Sequence, residues 1–293
     1  MLIQSMRSAL LILVLSFSLP ATLPSAPTQG YAHALELYNH TDYPAAISYL
    51  RTLPQDAKNL ELLGRSYLMN ADYKKATETL EKAVALDPKN SMTLTWLGRA
   101  YGRRAETSFA VAAVGHANKA REALEKAVAL DPKNGEALDD LFDYYVQAPS
   151  FMGGGSDKAR DLIPQIGQID PAQAHYARAR LAEQKKDYTT AEAQFRRALH
   201  MAPNEISRIL ELAKFVTKRG NIEEGDRLYE QAYKLAPSAP RLLYARAELW
   251  IQSNRNLDQA RDLLKKYLTS ANLTPDDPSK PEALRLLKKA DGM

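Results

Sequence analysis

A 34-residue pattern of large and small residues, clearest in residues 57–90, constrains this chain more than any other feature. Its first half places four residues at helical spacing on one face, Leu60, Leu63, Gly64 and Tyr67. Its second half does the same with Ala76, Leu80 and Ala83. Asp72 is a favourable helix N-cap, and Asp87-Pro88 ends the second half, because proline disfavours helical geometry in the residue before it. The pattern predicts two helices joined by a short turn, neither of which can bury its apolar face alone.

The pattern recurs imperfectly from about residue 28 to residue 270. Later units carry the equivalent residues at Gly98, Tyr101, Ala120 and Pro132, at Ala191, Phe195, Ala198 and Pro203, and at Tyr229, Ala232 and Pro237. Residues 57–90 resemble the tetratricopeptide repeat (TPR) at each anchor of its spacing, W-x₂-L-G-x₂-Y, then A-x₃-F, then P, with Leu60 for Trp and Leu80 for Phe. An ordinary helical bundle, the alternative, would not keep Gly, Tyr, Ala and Pro in register.

The resemblance implies an all-α fold: an α-solenoid of about seven TPR helix-turn-helix repeats with a C-terminal capping helix. The predicted units are about 28–56, 57–90, 91–134, 135–171, 172–205, 206–239 and 240–272. Residues 273–293 would form a proline-containing linker and a helix that covers the last apolar face.

Two units are longer than the period. In the third, the surplus lies between Tyr101 and Ala120, and we predict that it lengthens both helices, with a turn near Gly115. Three apolar side chains would then project beyond the stack, Phe109, Val111 and Val114. We favour local packing between the two extensions over contact with a partner.

In the fourth unit, the glycines at 153–155 predict a tight connection, capped by Ser156-Asp157, rather than a phosphate loop, because no Gly-Lys-Ser/Thr follows.

The composition excludes several classes of function. The chain carries 39 Lys and Arg against 35 Asp and Glu, and these charges are interspersed, so nucleic acid is not implied as a partner. The absence of cysteine excludes disulfides and thiolate chemistry. The five histidines are dispersed without metal-ligand spacing, so we expect no catalytic residue, no metal and no cofactor. A hydrolase that uses two carboxylates is the enzymatic alternative.

Residues 1–27 have the composition of a signal peptide. Arg7 precedes an apolar run from Ala9 to Leu19, which is short for a membrane-spanning helix, and cleavage is expected after Ala21 or Ala26. An uncleaved anchor is the alternative. We therefore expect an exported protein, periplasmic or secreted, with no membrane span in the mature chain.

Partner binding is expected in the concave groove. The family resemblance assigns groove positions on the first helices to Arg65, Met69, Thr95, Arg99, Arg103, Asp139, Asp143, Tyr176, Arg180, Lys214, Tyr244 and Glu248. Three arginines in consecutive units, Arg65, Arg99 and Arg103, suggest a protein or peptide partner that presents carboxylates. The alternative is a structural binder of an anionic cell-envelope polymer. The residues of the family's two-carboxylate clamp are absent, and neither the partner nor the oligomeric state follows from the sequence.

Overall fold

The computed structural model describes residues 26–292, which form helices and connecting turns without a β-strand. The predicted signal peptide lies, but for its last two residues, outside the described residues. Seven helix pairs follow one another: α1 (Ala26–Asn39) with α2 (Tyr43–Leu50), α3 (Ala57–Met69) with α4 (Tyr73–Leu86), α5 (Ser91–Glu106) with α6 (Ala110–Leu130), α7 (Gly135–Gln147) with α8 (Ser156–Ile169), α9 (Pro171–Gln184) with α10 (Tyr188–Met201), α11 (Ile206–Lys218) with α12 (Ile222–Leu235), and α13 (Pro240–Gln252) with α14 (Leu257–Leu268). A last helix, α15 (Lys280–Ala290), packs on α13 and α14. The all-α solenoid fold is confirmed.

Several helix pairs share one kind of turn. Two residues after the first helix ends, the chain has a residue with positive φ, such as Ala71 at 61° or Gly220 at 90°, and an Asp or Asn follows as the N-cap of the second helix. As predicted, Asp72 accepts a hydrogen bond from the backbone N–H of Lys75 at 3.2 Å. The side chain compensates one of the N–H groups that a helix start leaves without a partner.

Small residues set the distance between paired helices. A Cβ atom on Gly64 would lie 2.5 Å from Cγ of Leu80, and one on Gly98 would lie 2.6 Å from Cγ of Leu124. The pattern glycines therefore mark the crossing points where a leucine of the second helix lies on the backbone of the first.

The arrangement of the pairs makes the stack bend. Neighbouring first helices touch each other, as α3 does with α5 and α5 with α7, whereas no two second helices of the described chain approach as closely. The first helices therefore line the concave side, and their side chains form the groove.

The long third pair differs from its prediction. Helix α5 ends at Glu106, where the hydroxyl of Ser108 donates to the carbonyl of Arg104 at 2.7 Å, and α6 begins at Ala110. The turn is therefore not at Gly115, which lies within α6 at the modest cost of a glycine inside a helix. The prediction that the three projecting side chains pack locally is also wrong for two of them, because Phe109 is 95% exposed and Val111 is 90% exposed.

The glycine loop makes a tight connection. A short 3₁₀ turn (Ser150–Met152) leads to Gly153 at φ 86°, and a Cβ on Gly154 would lie 1.8 Å from the carbonyl oxygen of Ala148. The expected cap at Ser156-Asp157 is wrong, because Ser156 is the first helical residue of α8 and makes no capping hydrogen bond.

No helix within residues 26–292 combines the length and the apolar character needed to cross a membrane.

Candidate functional site

The concave side contains a cleft of about 580 Å³ next to α5. We call it the α5 cleft. Its walls come from the end of α3, from α5, α6 and α7, and from residues 275–282. These residues include the end of the connection between α14 and α15 and the first residues of α15. Helices from the second, third and fourth pairs and a segment from the end of the chain therefore enclose one space.

The lining of the α5 cleft is largely apolar and aromatic. Met69 from α3, Trp96 from α5 and Tyr144 from α7 line it, together with Met152 of the glycine loop. Tyr144 donates its hydroxyl to the backbone carbonyl of Met152 at 2.8 Å, which fixes the loop against α7. Buried aromatic and thioether surface of this kind supplies most of the binding energy in protein interfaces.

Two arginines lie over the indole of Trp96. The guanidinium carbons of Arg65 and Arg99 are each 4.5 Å from its ring centroid, a cation–π distance. Arg65 also lies 4.8 Å from the ring of Tyr38. These contacts hold both arginines against the wall of the groove rather than extending them into it.

Arg99 makes two short ion pairs with acids of the next first helix. Its Nε lies 2.5 Å from Asp140 Oδ2 and its Nη1 lies 2.8 Å from Glu136 Oε2, so that it joins α5 to α7. Burial raises the pKa of the Asp140 carboxyl to about 6, although Arg99 acts in the opposite direction. Arg99 is therefore neutralised by acids of this chain before any partner arrives.

Arg103 connects the cleft to the end of the chain. Its Nη1 is 2.8 Å from Glu106 Oε2 and 4.0 Å from Glu282 Oε1 at the start of α15. Arg241 of α13 holds the connecting segment through Asp277, with Nε 3.2 Å from Oδ1. The segment consequently stands within the concave space as part of the site.

A second cleft of about 470 Å³ lies on the other side of this segment, next to α13, and we call it the α13 cleft. Lys214 of α11 and Glu248 of α13 face each other there, with Nζ 2.8 Å from Oε1. Tyr244 and Glu211 also line it, and burial raises the pKa of the Glu211 carboxyl. Here too the cation already has a partner.

Ion pairs recur between other neighbouring first helices. Arg180 of α9 reaches Asp143 of α7 at 3.5 Å, and Lys218 of α11 reaches Glu183 of α9 at 2.7 Å. Together with the pairs of Arg99 and Lys214, they form a ladder along the concave face. Such a ladder fixes the spacing of the first helices more than it offers free charge to a ligand.

The structure divides the predicted site residues. Met69, Arg99, Arg103 and Asp143 line the α5 cleft, and Lys214, Tyr244 and Glu248 line the α13 cleft. Arg65, Tyr176 and Arg180 are half-buried beside them. These placements do not test whether a partner binds there.

Two predicted residues do not face a cleft of the groove. Thr95 is fully buried, where its hydroxyl donates to the carbonyl of Ser91 at 2.9 Å, so it lines neither cleft. Asp139 lies in a separate cavity of about 230 Å³ with Gln173 and Arg208. Burial raises the pKa of its carboxyl to about 6.

Several lining residues were not predicted. Trp96 stands three and seven residues before Arg99 and Arg103, so helical spacing places all three on one face, a signal available in the sequence. Asp277 and Glu282 offered no such signal, because more than 170 residues separate them from Arg103.

The chain belongs to the tetratricopeptide repeat family. Two profiles described as tetratricopeptide repeat match residues 57–90 and 113–134, and residues 170–206 and 217–278, which together are just over half of the chain. Similar solved structures include a tetratricopeptide repeat protein from Parabacteroides merdae, at 16% identity and TM-score 0.58, covering 90% of this chain and 98% of that one. A thermophilic one from Thermus thermophilus has 22% identity and TM-score 0.55, covering 65% of this chain and 99% of that one. These similarities support the fold alone. No curated protein sequence matches the chain.

The fold and the groove define a protein-interaction scaffold, the general role of tetratricopeptide repeats. Within residues 26–292, no group of three or more potential ligands is placed to hold a metal ion.

Proposed function

We propose that this protein is an exported, non-catalytic adaptor that binds a segment of another protein in its concave groove. The observation that carries the proposal is the α5 cleft, a mainly apolar, open space of about 580 Å³ bordered by first helices, by α6 and by the segment before α15. A space of this size accommodates a few anchoring side chains, and a few anchors carry most of the affinity of an interface.

Site-specific crosslinking tests the binding role. The chain contains no cysteine, so a single introduced cysteine gives one labelling site. Met69→Cys places a photoreactive maleimide in the α5 cleft, and Lys82→Cys places it on the exposed, outer side of α4. After illumination in cell-envelope extract, we expect adducts to a defined protein from position 69 and none from position 82. Equal adduct patterns from both positions, or no adduct from the cleft, would contradict the proposal.

Export is supported by the n-region, apolar run and small residues of 1–27. Helix α1 begins at Ala26, so cleavage after Ala21 or Ala26 would leave it intact from Pro27 onward. Cell fractionation and sequencing of the mature N-terminus test this part. An intact Met1 on a cytoplasmic product would refute export without touching the groove.

A further inference from the structure

The linings of the two concave clefts contain more acidic than basic residues, whereas the whole chain has an excess of basic residues. The chain has a net charge of +4. Two cations line the α5 cleft, Arg99 and Arg103, against five carboxylates, Glu106, Asp140, Asp143, Asp277 and Glu282. The α13 cleft likewise has Lys214 and Arg241 against Glu211, Glu248, Asp276, Asp277 and Glu282. The folded arrangement, which brings Asp276, Asp277 and Glu282 into the groove, enlarges this excess of acid in the α5 cleft and creates it in the α13 cleft.

The cations are already paired. Arg99 lies within 2.8 Å of both Glu136 and Asp140, and Arg103 lies 2.8 Å from Glu106. To pair with Arg99 or Arg103, a carboxylate of a partner would have to displace an acid of this chain. That acid already lies within 2.8 Å of the guanidinium and is partly desolvated. The groove therefore gives an incoming anion little net attraction.

Three of the acids retain capacity for a new cation. Asp143 is held only by a loose ion pair, with its buried Oδ1 3.5 Å from Arg180 Nη1, and 44% of its side chain is exposed. The Glu106 side chain is 55% exposed and the Glu282 side chain is 41% exposed. All three line the same cleft around its apolar floor of Met69, Trp96 and Tyr144, and two of them, Glu106 and Glu282, share Arg103 as a partner, so their negative charge is only partly neutralised.

We propose that the α5 cleft recognises a segment with an apolar anchor residue flanked by lysine or arginine. The inference rests on the proposed function, because it assigns the chemistry of the partner in the same groove. The anchor covers the aromatic and thioether floor, and the flanking cations pair with Glu106, Asp143 and Glu282. An anionic segment or an anionic polymer is repelled by the same three carboxylates.

A matched set of peptides tests the chemistry. A fluorescent twelve-residue peptide with a Leu-Phe-Leu centre is made with three flanking lysines, with three flanking glutamates and with three flanking serines. Binding to the purified full-length chain is measured by anisotropy at low and at moderate salt. We expect the lysine peptide to bind tightest, the glutamate peptide to bind weakest, and the lysine advantage to fall as salt rises. Equal or tighter binding of the glutamate peptide overturns the inference.

Variants locate the effect. Asp143→Asn and Glu106→Gln should each weaken binding of the lysine peptide by about two- to fivefold while leaving the serine peptide unchanged, as expected for single, partly exposed ion pairs. The control is Glu78→Gln, whose side chain is 51% exposed on α4, outside the clefts. Weakening by the control variant as much as by the groove variants refutes recognition in the cleft.

A random peptide library separates this inference from the function on which it rests. Panning on the wild-type chain should enrich peptides with basic residues around an apolar centre, and Met69→Lys, which places a cation on the floor of the cleft, should abolish the enrichment. Enrichment of acidic peptides that is also lost in Met69→Lys would leave the groove function intact and refute the charge assignment. No enrichment at all would count against both.

Discussion

Removal of the Arg99 cation should destabilise the protein in a pH-dependent way. The variant Arg99→Met keeps most of the apolar stem and leaves Asp140 and Glu136 without their partner. Breaking a buried ion pair by removing one member costs about 3–5 kcal/mol. Because the side chains of Arg99 and Asp140 are 25% and 27% exposed, solvent screening lowers the expected loss to about 2–3 kcal/mol.

The loss should shrink as pH falls. The pKa of Asp140 in the folded chain is raised to about 6 from its ordinary value of 3.8, so the folded state binds this proton more tightly than the unfolded state. The contribution of this carboxyl to stability is therefore greatest below about pH 4 and is lost as pH rises through about 6. Without Arg99 the pKa rises further, and at about pH 5 the variant buries a neutral acid instead of an unpaired charge.

Urea denaturation followed by far-UV circular dichroism at about pH 8 and about pH 5 measures both effects. We expect the free-energy deficit of Arg99→Met to fall by at least half at the lower pH. The double variant Arg99→Met/Asp140→Asn removes the stranded charge and should recover much of the loss at about pH 8. Equal deficits at both pH values, together with additive effects in the double variant, would refute the assignment of Arg99 as the partner of Asp140.

Three further outcomes follow from the packing. Gly64→Ala should lower the free energy of unfolding by about 1–3 kcal/mol in urea denaturation, because its Cβ would lie 2.5 Å from Leu80 Cγ, whereas Gly102→Ala, which meets nothing within 4 Å, should gain up to about 1 kcal/mol. A loss in both variants would mean that close approach is not the cause. Phe109→Ala should leave stability within about 0.5 kcal/mol, since the ring is 95% exposed and makes no capping hydrogen bond at the start of α6, and a larger loss would show that the ring is packed. Tyr267→Phe removes the hydroxyl that donates to a carbonyl of the segment before α15, and faster proteolysis in that segment is expected; an unchanged cleavage rate would contradict its role in holding the segment.

The sequence was sufficient for the architecture because the signals are local. Gly64 and Leu80 are sixteen residues apart, within one unit, and later units repeat the pattern imperfectly, as Gly98 and Leu124 do across the longer third unit. Asp72 likewise predicted its own turn, since a cap acts on N–H groups two or three residues away. The surplus in the third unit was less well determined, because the hydroxyls of Thr107 and Ser108 ended α5 before the glycine that marked the expected turn.

The charge of the groove was decided by the tertiary structure. In sequence, Arg99 and Arg103 form part of a positive cluster that suggests a carboxylate-bearing partner. In the folded chain, Asp140 comes from the next first helix and Glu282 from the far end of the solenoid, because bending the stack brings distant residues to a common concave side. The local repeat pattern thus determined which helices form and which face inward. Only their assembly determined which charges meet. Electrostatic recognition depends on the summed charge of the groove rather than on the charge at any single position.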